Sequence, residues 1–275
     1  MLSGCSALES LELIDNSGIG CLCISSQTLK SLGFSADWRN KGVSLQELVI
    51  GDAPCIERLV ALDPNYGRMT IRIVSAPKLK IFGMFSEEIS ELHIGTTVFQ
   101  EMRAVSLTTK MRTMRVLFLR SAGPNLDSVV NFLNCFPCLE RLYVIFQTRM
   151  VINNVRKYDP QDPIECLKLH LKKVVLKNYD GSKSSSIDFA KFFLLNAEVL
   201  HEMKITLPYH RQPKWFANQR SLLQIRNRAS KDAQIELRCG IKDDFTHDKH
   251  THDFSMADPF DIPSKGCVKC SCGPF

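Results

Sequence analysis

The sequence predicts an α/β solenoid, a chain wound into stacked coils that each contribute one parallel strand to a common sheet. Three observations predict it: a short apolar phrase that returns eight times, turn residues between the returns, and a final third in which strands alternate with helices.

The phrase is apolar-x-x-apolar-x-apolar. It occurs as Leu8-Leu11-Leu13, Leu29-Leu32-Phe34, Ile56-Leu59-Ala61 and Leu79-Phe82-Met84, and again as Met114-Leu117-Leu119, Leu139-Leu142-Val144, Leu171-Val174-Leu176 and Leu200-Met203-Ile205. Its starts are 21, 27, 23, 35, 25, 32 and 29 residues apart, and a period of roughly 20–29 residues is that of a leucine-rich repeat. The last two apolar positions lie two apart, so in a strand they share one face. Stacked coils join these residues into a core that no single coil could bury.

Between the strands the chain must return. In the N-terminal half the returns look like strands themselves: Ile19-Cys21-Leu22-Ile24, Leu45-Leu48-Ile50, Ile71-Ile73 and Ile89-Leu92-Ile94, set apart by turn residues such as Gly51-Asp52-Ala53-Pro54. In the C-terminal half they look like helices. Leu126, Val129, Val130, Leu133 and Phe136 keep a helical period, and Ile187–Leu195 does so behind Ser184, Ser185 and Ser186. A further helix is expected over Trp215–Arg228 and a last strand over Ala233–Leu237. Met102, Val105 and Leu107 fall out of phase, which leaves the coil count open over 95–113. The fold class is thus α/β: a right-handed leucine-rich-repeat solenoid with a parallel sheet on the inner curve, strand returns early and helical returns late.

The composition, 44% hydrophobic and 23% charged, is that of a folded protein, and a formal charge of +6 is modest. Basic stretches such as Lys168–Lys177 alternate with apolar residues instead of forming the clustered basic face that nucleic acid requires. No run approaches the roughly 18 apolar residues of a membrane span. The 11 cysteines are odd in number and Met1–Ser6 carries no secretory features, so thiols reduced in the cytosol or nucleus are expected. No Gly-x-Ser-x-Gly elbow, phosphate-binding loop or His-Glu-x-x-His occurs, so neither catalysis nor a cofactor is expected.

Two regions resemble a known family. Leu171-Lys172-Lys173-Val174-Val175-Leu176 followed by Asp188-Phe189-Ala190-Lys191-Phe192-Phe193-Leu194-Leu195-Asn196-Ala197, with the later run Leu222–Ala233, is similar to the FBD domain of plant F-box proteins. Ala76-Pro77-Lys78-Leu79 and Cys135–Leu142 resemble the repeats of grass F-box/FBD/LRR proteins. The resemblance implies a leucine-rich-repeat region over 1–165, an FBD domain continuing the solenoid over 166–238, and a polar, flexible tail over 239–275. It also implies substrate recognition in an SCF-type ubiquitin ligase, whose Skp-type adaptor an F-box would engage. The sequence opens inside the first repeat, and a protein lacking the F-box is expected. The alternatives are an interaction protein outside ubiquitination, or a metal-binding protein using the tail.

If the last two apolar positions of each phrase face the core, the third and fifth face solvent. This places Glu12, Arg58, Phe118, Arg141, Tyr143, Lys173 and Lys204 on the inner curve as a surface for an unidentified target protein. Phe118, Arg141 and Tyr143 stand out because aromatic residues and Arg dominate interface hot spots. The competing reading is that a neighbouring loop or the tail covers Phe118 and Tyr143. In the tail, Cys267, Cys270 and Cys272, with His247, His250 and His252 upstream, have partial zinc-ligand spacing but no second knuckle.

Overall fold

A computed structural model describes residues 5–14, 18–35, 45–62, 68–86, 89–123, 125–146, 163–208, 212–239 and 254–261. Elements are numbered in chain order. One sheet has nine strands: β1 (Ser10–Leu13), β3 (Ser31–Phe34), β5 (Arg58–Ala61), β7 (Ile81–Phe85), β11 (Val116–Gly123), β12 (Arg141–Phe146), β13 (Lys173–Lys177), β14 (Glu202–Leu207) and β15 (Gln234–Cys239). They lie side by side in that order, and each pair is parallel. The second sheet has six strands: β2 (Cys21–Ile24), β4 (Glu47–Asp52), β6 (Met69–Ser75), β8 (Ile89–Ile94), β9 (Thr97–Gln100) and β10 (Arg103–Ser106). Helices α1 (Leu126–Cys135), α2 (Glu165–Leu169), α3 (Ser184–Asn196) and α4 (Pro213–Leu222) take over the returns in the second half. The last two apolar positions of all eight phrases sit on strands of the long sheet, as a solenoid requires.

The register explains why the phrase works. Leu32, Leu59, Phe82, Leu117, Leu142, Val174 and Met203 are all buried, and successive members pair across the sheet. Before several strands a Pro-containing turn resets the chain: Ala53-Pro54, Ala76-Pro77 and Phe136-Pro137. In these the amides of Ile56, Leu79 and Leu139 donate to the carbonyls of Ala53, Ala76 and Phe136, with Pro preset for the second turn position. The residue after the first apolar position is charged in seven of the eight phrases, and the sign changes between neighbours except from Lys80 to Arg115. Glu9–Lys30 (2.6 Å), Glu57–Lys80 (3.1 Å), Arg115–Glu140 (3.4 Å) and Glu140–Lys172 (3.5 Å) follow one another along this edge. Each exposed pair contributes little alone.

Within the out-of-phase segment 95–113, residues 97–106 form a hairpin, not a coil. β9 pairs antiparallel with β8 and with β10. Glu101 (φ 44°) and Met102 (φ 66°) make the two-residue turn between them, both in the left-handed region that such hairpins use. The hairpin also supplies Phe99, whose ring stacks on Phe132 of α1 at 4.2 Å. Phe132 and Phe82 both contact Phe136, so an aromatic cluster fills the change from strand to helical returns.

Three helical expectations shift. α3 begins at Ser184, three residues before Ile187, and Ser185 and Ser186 are buried inside it instead of capping it. Asp180 explains the earlier start, because its side chain accepts from the Ser182 amide (3.1 Å) and hydroxyl (2.6 Å) and turns the chain there. The expected helix 215–228 is cut at Gln224 (φ 53°), with α4 before it and a 3₁₀ turn, Ile225–Asn227, after it. The short α2 has no forerunner in the pattern, since five residues are too few to show a period. No helix among the described residues is long and apolar enough to cross a membrane.

Candidate functional site

Strand alternation sends the third and fifth residues of each phrase to the face of the nine-stranded sheet away from the core. Pairing sets Arg141 beside Val116 and Lys173, and Tyr143 beside Phe118 and Val175. The expectation that these positions face solvent is corrected by the structure. Arg58, Phe118, Tyr143 and Lys173 are buried, and Arg141 is half-buried. The cause is Phe254–Asp261, which crosses this face from β5 to β13. Coverage by the tail is therefore what the structure has for Phe118 and Tyr143. The flexible tail expected over 239–275 is likewise corrected for these eight residues, which are seated on the sheet.

The strap is held at five places. The Arg58 guanidinium donates to the Met256 carbonyl (2.6 Å) and lies over the Phe254 ring at 5.0 Å. Arg141 Nη1 and the Tyr143 hydroxyl both donate to Asp258 Oδ2, at 3.0 and 2.7 Å. Asp258 Oδ1 accepts the Phe260 amide at 3.0 Å. Lys173 Nζ reaches Asp261 Oδ1 at 2.7 Å and Glu202 Oε2 at 2.8 Å. Phe260 itself is 3% exposed and packs on Phe118 and Tyr143, with ring centres 4.9 and 5.7 Å away. Gly83 makes its room: a Cβ there would stand 2.3 Å from the Phe260 ring.

These contacts set the electrostatics. Burial pushes the Tyr143 phenol far above its ordinary value, and the neighbouring Asp258 carboxylate adds to this. At Arg141 and Lys173 burial opposes the charge, but the carboxylates of Asp258, and of Asp261 and Glu202, outweigh it and both pKa values rise. Burial would raise Glu202, yet hydrogen bonds from Lys173 and Lys204 hold it below the ordinary carboxylate range. The face is thus basic and aromatic, and the strap acidic and aromatic.

Two proposed surface residues are apart from the strap. Glu12 is exposed on β1, and Lys204 is half-buried and paired with Glu202 at 2.9 Å. The functional residues that sequence reasoning missed are Phe254, Met256, Asp258, Phe260 and Asp261. Their signal was present: three large apolar side chains and an Asp-Pro-Phe-Asp turn within a polar tail.

The tail cysteines Cys267, Cys270 and Cys272, and His247, His250 and His252, lie outside the described residues. Among the described residues Cys138, Glu165 and His170 bring donor atoms within 4.8 Å of one another. Arg112 occupies that cluster, clamping Glu165 through both oxygens at 2.7 and 3.1 Å. Its guanidinium, lying against Glu165, holds that carboxyl below the usual range and supplies the positive charge a metal ion would bring.

A family model described as FBD-associated F-box protein At5g56370, LRR repeats, matches residues 1–144, and an FBD model matches residues 159–205. No curated protein matches the chain, and no solved structure does. The repeat model spans more than half of the 275 residues and the FBD follows it in order, so the chain belongs to the leucine-rich-repeat family of FBD-associated F-box proteins.

Proposed function

We propose that the chain is a non-catalytic recognition scaffold, the target-binding part of an SCF-type ubiquitin ligase receptor acting in the cytosol or nucleus. The observation that carries this reading is the gathering of Arg58, Phe118, Arg141, Tyr143 and Lys173 on one sheet face, where they hold a peptide segment. Arg and aromatic side chains around a desolvated centre are what protein interfaces use as anchors. Family membership supports the ubiquitin-ligase setting.

The test is affinity purification of the tagged chain from its native cells, in wild-type form, as Arg141→Glu/Lys204→Glu, and as Val74→Ser on the exposed second sheet. The reading predicts target capture lost in the double variant but kept in the control, and ubiquitination of the captured target when an F-box is fused ahead of the chain. Capture without ubiquitination by that fusion would move the protein outside ubiquitination. Capture indifferent to the double variant would defeat the reading of the face.

A further inference from the structure

The strap is an image of what the face recognises. It joins neither sheet as a strand. Sheet side chains hold it instead, gripping a carbonyl and two carboxylates, as a binding groove holds a docked peptide. Its centre is a compact turn. The Asp261 amide donates to the Asp258 carbonyl at 3.4 Å, and the Asp258 side chain caps the Phe260 amide at 3.0 Å. Pro259 sits at the second turn position, where its fixed φ lowers the entropy lost on docking. The turn delivers Phe260 against Gly83, Phe118 and Tyr143 while Asp258 and Asp261 reach the cations on either side.

We propose that the face binds a linear acidic–aromatic segment of a partner protein, of the form Asp-Pro-Phe-Asp, and that Phe254–Asp261 is the intramolecular occupant such a segment must displace. This rests on the reading of the face as a recognition surface and specifies its ligand. Charge complementarity and the three-sided Phe260 site select the chemistry: a neutral or basic segment would leave half-buried Arg141 without the Asp258 carboxylate and buried Lys173 with Glu202 alone. Because the occupant is tethered, it competes at an effective concentration that a free segment must overcome.

The probe is a fluorescein-labelled peptide of sequence Phe-Ser-Met-Ala-Asp-Pro-Phe-Asp, read by anisotropy against the full chain. Asp258→Ala/Phe260→Ala in the chain should bind it at least about tenfold more tightly than wild type, since the tethered competitor is gone. Asp258→Asn, which keeps the shape and removes the charge, should fall between them and guards against misfolding of the double variant. A peptide with Ala at its Asp-5 and Phe-7 positions should not bind, and adding Arg141→Ala to the double variant should abolish binding. Failure of both folded strap variants to bind the peptide, with partner capture still lost in Arg141→Glu/Lys204→Glu, overturns this inference and leaves the reading of the face standing. Peptide binding and capture both indifferent to Arg141 would overturn the two together.

Discussion

Asp258 has a side chain 2% exposed, and a buried carboxylate persists only where its oxygens are bonded and its charge is met. Arg141, Tyr143 and the Phe260 amide meet those demands. Tyr143 carries the measurable consequence. Its phenol is raised mainly by burial and then by Asp258, so the native state favours the protonated form. That contribution to stability is complete below the ordinary tyrosine value of about 10 and is lost as pH rises beyond it. In a spectrophotometric alkaline titration, the native chain and Tyr143→Phe should release the same number of phenolic protons until unfolding; one proton fewer in the variant would show that Tyr143 is open to water. Gly83 offers a second reading of the same contact. Gly83→Ala should cost about 1–3 kcal/mol in urea unfolding, the usual penalty of overpacking. The cost should shrink in a Phe260→Ala background, because the two atoms compete for one space. Additive losses would separate Gly83 from the strap. The positions of Arg58, Arg141 and Tyr143 were legible from strand alternation alone. Which residues cover them was not, because their partners lie between 115 and 198 residues away along the chain.

At the scale of elements, period and turn chemistry carried most of the information. α1 was legible because its apolar residues recur with helical spacing behind Asn125, and that side chain does accept the Ser128 amide at 3.1 Å. Asn125→Ala should therefore lose about 1 kcal/mol in chemical denaturation while Asn125→Asp stays near wild type; equal losses would remove the cap from the account. The hairpin β9–β10 was illegible for a physical reason. Its turn uses Glu101 and Met102 at positive φ, where Gly or Asn would have signalled a hairpin. The start of α3 was missed because Asp180, four residues upstream, sets the turn instead of the serines.

For the whole molecule, the phrase made the long sheet legible because each coil repeats one local solution against its neighbours. The strap breaks that rule. It ties β5 to β13 across three intervening strands of the sheet, β7, β11 and β12, and no local pattern encodes such a contact. It should also be the least stable part of the fold, since side chains alone hold it and local opening follows the weakest contacts. The most direct test is amide hydrogen exchange over 254–261 in the full chain, compared between wild type and Arg141→Ala/Lys173→Ala. The account predicts slowed exchange at Phe260 and Asp261 in wild type, and exchange at the free-peptide rate in the variant, with β13 and α3 protected in both. Free-peptide exchange in wild type, or protection that survives loss of Arg141 and Lys173, would contradict it.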